Sequence, residues 1–169
     1  MNTWQAVVKA LQTEGVKYIF GMPGNPNLLY DALYDQDEIK VVHAREQSSG
    51  VFMAMGHARA TLSLGVCFGS TGPGFTNMMS GILEAQAASV PLLVLSAGVS
   101  TKYEGLPAFQ ETDQVAMAKP ITKWAYRVPA PERIPWAIRR AISIAKSGSP
   151  GPVYLEISSD LSLQDVEMP

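Results

Sequence analysis

The sequence predicts one three-layer α/β domain over residues 1–169, a six-stranded parallel sheet with helices on both faces. Three observations carry this prediction. Short apolar, β-branched runs alternate with stretches of helical apolar spacing, the pattern of successive strand–helix units. The runs are apolar at consecutive positions, as strands covered on both faces must be. Hydrophobic residues make up 47% of 169 residues, which supplies one well-buried core in a chain too short for two ordinary domains.

The elements follow in order. Trp4, Val7, Val8 and Leu11 recur at helical spacing, and Gly15 can end that helix because it tolerates a left-handed backbone. A strand is expected at 17–20, a helix at 28–34, a strand at 40–43 and a helix at 46–61. The strand at 65–69 leads through a glycine-rich turn into a helix at 74–88, and a further strand covers 92–96. Strands at 123–128 and 152–157 flank a helix at 131–146. The least regular stretch, 98–112, has the core spacing of neither element and contains Gly105, Pro107 and Phe109, so it is a candidate functional loop.

Charge and composition exclude several classes. Thirteen basic and fifteen acidic residues give a net charge of -2 with no block of one sign, which argues against a nucleic-acid or anionic-membrane surface. Cys67 is the only cysteine and lies inside the apolar run GVCFG, so an internal disulfide and a cysteine-rich metal site are excluded. The opening residues lack a basic start followed by an apolar run, and no apolar run approaches the roughly twenty residues of a spanning helix. A soluble cytoplasmic chain is expected.

In an open parallel sheet, ligands bind beyond the carboxyl ends of the strands. The unusual segments of this chain fall there in succession: GMPGN at 21–25, Arg45-Glu46-Gln47, GSTGPG at 69–74, and the loop carrying Phe109-Gln110-Glu111. Taken singly they are ambiguous. The glycine spacing of GSTGPG departs from the dinucleotide fingerprint, and no lysine follows to make a P-loop, so a tight strand-to-helix turn explains it equally well. Pro73 stiffens that turn and presents a flat apolar ring. Glu46 also suits the start of any helix, where the dipole favours an acid. His43 and His57 are isolated, with no HExxH arrangement, and no metal site is expected on this chain. Met53, Met55, Met78 and Met79 read as core or subunit contacts. Gly81, Ala85 and Ala88 share one helix face suited to close packing, within the domain or across a dimer.

The segments GMPGN, REQSSGVFMAMGHARAT, GVCFGSTGPGFTN, PLLVLSAG, AFQETD, KPITKW and GPVYLEISSDL resemble, in order and spacing, the pyrimidine-binding domain of thiamine-diphosphate-dependent enzymes. The similar branch includes acetolactate synthase, benzaldehyde lyase and benzoylformate decarboxylase. The resemblance implies that Glu46 hydrogen-bonds N1′ of the cofactor's aminopyrimidine and so activates it. That role asks for a carboxyl whose pKa burial has raised. It further implies that Pro23 and Gly24 lie at the cofactor beside the reacting carbonyl, with Asn25 in the substrate pocket. Thr71, Gly72, Pro73 and Asn77 would border the pyrimidine. Gln110, with Phe109, would face substrate, where an amide can stabilise a developing oxyanion without titrating.

Members of the family hold the diphosphate and Mg2+ with a GDG motif in a separate domain, and these residues contain no GDG. Arg45 stands where related chains often carry histidine, and Asn25 where they carry a small or apolar residue or a serine; both leave substrate choice open. The chain starts at Met1 and stops just past GPVYLEISSDL. The expectation is a split enzyme: a small subunit completed by a diphosphate-binding large subunit that holds Mg2+, with self-association into a two-plus-two heterotetramer. The FQETD segment favours acetolactate-synthase-like carboligation of a 2-oxo acid or aldehyde. A split 2-oxo acid decarboxylase, resembling sulfopyruvate or phosphonopyruvate decarboxylase, is the second expectation. A non-catalytic nucleotide-binding or structural module is the third.

Overall fold

The computed structural model describes residues 1–24 and 28–166. Six strands form one all-parallel sheet: β1 Tyr18–Gly21, β2 Lys40–His43, β3 Gly65–Gly69, β4 Leu92–Gly98, β5 Trp124–Arg127 and β6 Pro152–Ser158. Their order across the sheet is β2-β1-β3-β4-β6-β5. The helices are α1 Thr3–Thr13, α2 Leu28–Tyr34, α3 Gln47–Thr61, α4 Pro73–Ala87, α5 Gln114–Ala118 and α6 Ile134–Lys146. The three-layer fold read from the sequence is therefore present.

Alternation along each strand sends neighbouring side chains to opposite faces, and the core divides accordingly. Ile19, Val66, Phe68, Leu93, Leu95, Val153 and Leu155 pack with α1, α2 and α6. Phe20, Cys67, Leu92, Val94 and Tyr154 pack with α3 and α4 on the other face. Trp4, Phe68, Phe75 and Tyr154 are among the largest fully buried side chains, and burying each contributes on the order of 2–3 kcal/mol. Gly81 of α4 faces the side chain of Val51 of α3 so closely that a β-carbon there would meet it at 2.8 Å. The small-residue face expected on α4 is thus used within the domain.

The boundaries depart from the sequence reading in explicable ways. Glu46 caps α3 from outside, with extended backbone at φ -157°, instead of forming its first residue. Pro73 occupies the first turn of α4, where its missing N–H costs nothing. The expected helix at 131–146 opens with a separate 3-10 turn, Pro131–Arg133, before α6. Helix α5 was not expected; its five residues are too few to display a period, although the Asp113 side chain caps it by accepting from Ala116 N at 2.9 Å. Strand β4 runs two residues further than expected, to Gly98.

The chain winds from β1 outward to β2 at one edge, then crosses over to β3 and proceeds the other way. That reversal places a crevice between the carboxyl ends of β1 and β3, the position where open parallel sheets receive ligands. Among the described residues no helix is long and apolar enough to cross a membrane.

Candidate functional site

The glycine-rich turn after β3 is the floor of the site. Gly72 adopts φ +61° and ψ -110°, a conformation essentially confined to glycine, and α4 begins there with no side-chain cap. The Gly72 N–H instead donates to Gln114 Oε1 at 2.8 Å. Thr71 is buried, whereas Pro73 and Asn77 are exposed at the start of α4.

Three further segments close on this turn. From the end of β1, Gly24 sits against Ser70, leaving room for a β-carbon only 2.7 Å from the Ser70 side chain. From the start of α3, Gln47 Nε2 reaches Ser70 Oγ at 3.5 Å. From the long loop, the Gln110 carbonyl lies over Gly72, 2.5 Å from where a β-carbon would stand. Gln110 itself has φ +63°, unusual for a residue with a side chain, and is half-buried. The segments singled out in the sequence therefore meet. Pro23 is exposed beside them, and Asn25 lies outside the described residues.

Phe109 is 86% exposed, at the rim of a cleft of about 450 Å³ lined by Thr71, Gly98, Ser100, Tyr103, Phe109 and Ser159. This volume lies within the range of small-molecule sites. The loop that bounds the cleft is pinned at its start, where Thr101 donates from N and Oγ1 to the Asp160 carboxylate at 3.0 and 2.7 Å. Those bonds hold the Asp160 carboxyl below its ordinary pKa, outweighing the upward push of partial burial.

Glu46 is exposed, and its carboxylate accepts from Ser49 N at 3.2 Å and from the Ser48 hydroxyl. The Ser48 bonds lower its pKa from the ordinary carboxylate value. The raised value expected for this residue is thus not found in the domain by itself, because among the described residues nothing buries the carboxyl. His43 stacks on Tyr30, and His57 lies beside Tyr18 and Phe20.

Sequence reasoning missed a buried polar group behind the turn. Glu156, 1% exposed in the middle of β6, accepts from Gln114 Nε2 at 3.0 Å and from Arg127 Nε at 2.7 Å. Burial raises its pKa, opposed by the bonds from Gln114 and Arg127. Tyr154 and Ser96 share a hydroxyl hydrogen bond at 2.6 Å beside it. The available signal was the acid inside VYLEI: a charge in an otherwise apolar central strand demands partners.

An all-parallel sheet with a glycine turn, a helix-capping carboxylate and an amide-bearing loop gathered at its topological crevice defines a ligand-binding α/β domain. Residues 1–117 match the family described as "Thiamine pyrophosphate enzyme, N-terminal TPP binding domain", and the chain belongs to that family. It is 42% identical over 169 residues to the "Probable acetolactate synthase large subunit" of Methanocaldococcus jannaschii, covering 99% of this chain and 28% of that protein. It is 42% identical over 158 residues to the acetolactate synthase isozyme 3 large subunit of Escherichia coli strain K12, covering 93% of this chain and 28% of that one. With acetolactate synthase 2, chloroplastic, of Nicotiana tabacum it shares 40% identity over 159 residues, 94% of this chain and 24% of that protein. The chain thus spans less than a third of the length of these relatives.

Proposed function

We propose that this domain forms the pyrimidine half of a thiamine-diphosphate site in an acetolactate-synthase-like enzyme acting on 2-oxo acids or aldehydes. The convergence of Gln47, Gly24 and Gln110 on the Ser70–Gly72 turn, with Glu46 the residue before Gln47, carries this reading. The residues fit an aminopyrimidine: Gly72, lacking a side chain, lets the Gln110 carbonyl close over the turn, and among the described residues the second carboxylate oxygen of exposed Glu46 has no hydrogen bond and can face a ring nitrogen. An acid at this position would repel a phosphate, which disfavours the nucleotide-module reading. Bound thiamine diphosphate supplies a nucleophilic thiazolium carbon for attack on a carbonyl.

In the proposed mechanism, Glu46 holds or shares a proton at the pyrimidine N1′ and so sets that ring's protonation. Thr71, Gly72, Pro73 and Asn77 orient the ring, and Pro23 and Gly24 bound the space beside it. Gln110 donates its amide to the substrate carbonyl oxygen, with Phe109 and Asn25 bounding the acceptor side. The diphosphate and Mg2+ would be held by a domain that these 169 residues do not contain, carried in the split arrangement by a large partner subunit. Phe52, Met53 and Leu83 on the packed helices α3 and α4 are exposed and support docking of such a partner or of a second copy. Cover over this region would also desolvate Glu46 and raise its pKa toward that of a proton-sharing group.

Calorimetric titration of thiamine diphosphate with Mg2+ tests the reading, first with this chain and then with it co-expressed beside its neighbouring reading frames. Tight binding only after co-expression supports the divided site. Tight binding by the chain alone removes the division, and no binding in either sample removes the cofactor. With binding established, product analysis separates acetolactate-type carboligation from release of aldehyde by a decarboxylase.

A further inference from the structure

The buried Glu156 links the Gly72 turn and the loop carrying Gln110 through side chains, in addition to the direct approach of the Gln110 carbonyl to Gly72. On one side it accepts from Gln114 Nε2, while the same Gln114 amide donates to Ala97 O at 3.0 Å and accepts from Gly72 N. On the other side it accepts from Arg127 Nε, and Arg127 Nη1 reaches Glu104 Oε1 at 2.5 Å in the loop that carries Phe109 and Gln110. The arrangement depends on acceptors at both carboxylate oxygens, because both neighbours donate. A glutamine at 156 would oppose one donor with another whichever way it turned. Gly98 keeps this space open, since a side chain there would overlap the Glu156 carboxylate.

The Gly72 contact is the decisive one. The Thr71–Gly72 peptide is planar, so fixing its N–H fixes the plane of the turn that faces the crevice. Among the described residues no side-chain cap and no main-chain acceptor holds this N–H; the Gln114 side chain does. Among the described residues every buried side-chain nitrogen and oxygen has a partner, so the network is complete and loss of one member leaves others stranded.

We infer that Gln114 and Glu156 are positioning residues: anchored by Arg127, they hold the Gly72 turn in its ligand-receiving conformation, and through Glu104 they register the substrate loop against it. This inference rests on the proposed cofactor site for its kinetic consequence, though its geometry does not.

The test uses the assembled enzyme. Gln114→Met keeps side-chain volume and removes the hydrogen bonds. It should raise the apparent KM for thiamine diphosphate about tenfold while kcat at saturating cofactor stays near the wild-type value. Glu104→Gln should leave the cofactor KM unchanged and shift the substrate KM or product ratio. Should Gln114→Met fail to fold, Gln114→Asn retains the amide but not its reach, and is expected to show the same split. A purely structural role would lower the melting temperature with no change in cofactor KM, and that result overturns the inference. If the wild-type enzyme binds no thiamine diphosphate, the cofactor reading fails by itself, and amide hydrogen exchange at Gly72 decides the positioning. Exchange at least tenfold faster in Gln114→Met upholds it, and unchanged exchange removes it.

Discussion

Replacement of Gly72 by alanine should damage the protein in two separable ways. At φ +61° and ψ -110° a side chain meets backbone strain of about 1–3 kcal/mol. The added methyl would also stand 2.5 Å from Gln110 O and 3.0 Å from Gln110 Cβ, and the nearer atom is backbone. Either the loop carrying Gln110 retreats or the turn tilts, and a tilt weakens the Gly72–Gln114 hydrogen bond by about 1 kcal/mol. Together these give about 3 kcal/mol, or a melting temperature lower by about 6–12 °C for a chain of this size. Gly105→Ala isolates the strain, because Gly105 has φ +72° with nothing within 4 Å of its would-be β-carbon. That variant should lose only the strain, about 1–2 kcal/mol. Thermal unfolding followed by circular dichroism compares the two. If Gly72→Ala melts no lower than Gly105→Ala, the close approach of Gln110 to the turn is wrong.

Three other substitutions probe the site. Glu46→Gln should fold and bind cofactor with little change yet slow thiazolium C2 proton exchange by at least a hundredfold, read by NMR in deuterated buffer; unaltered exchange removes Glu46 from the mechanism. Gln110→Ala should shift the ratio of carboligated product to free aldehyde several-fold with cofactor affinity unchanged, and an unchanged ratio places Gln110 outside the substrate pocket. Arg127→Ala leaves the buried Glu156 without its cation and should cost about 3–5 kcal/mol near neutral pH. Glu156 already has a raised pKa in the fold, so the native state holds its proton more tightly than the unfolded chain does. The Glu156 contribution to stability is therefore greatest below the ordinary carboxylate pKa and declines as pH rises through the folded value; without Arg127 that value climbs further. The deficit of Arg127→Ala should shrink on acidification toward about pH 4, and a pH-independent deficit in urea unfolding refutes the charge argument.

What the sequence revealed, and what it concealed, follow from how local each signal is. Consecutive apolar residues such as LLVL in β4 mark a strand buried on both faces without reference to anything distant. The β3 turn was legible for the same reason, since Gly72 and Pro73 declare a backbone requirement in adjacent positions. Helix α5 escaped because five residues cannot show a 3.6-residue period. The Gln114–Glu156–Arg127 group escaped because its members come from three elements and meet only when β5 and β6 pair, with Arg127 opposite Glu156 in register. The acid in VYLEI showed that a partner must exist without showing which residue it was.

Glu46 marks the limit of a single domain. The proposed chemistry needs a carboxyl that shares a proton near neutral pH, yet here Ser48 hydrogen bonds hold it below the ordinary value with solvent on its open side. The two facts are compatible if desolvation comes from outside. A covering domain would strip water from Glu46, and in a drier setting the same carboxylate would bind a proton-bearing ring nitrogen more strongly. On the proposed reading the fold supplies position and the cover would supply reactivity, so C2 proton exchange should appear only with the completed site and in step with burial of the exposed Phe52, Met53 and Leu83. Exchange at the full rate with those side chains still open to solvent would show that Glu46 is activated from within the domain, against the lowered pKa that its neighbours impose.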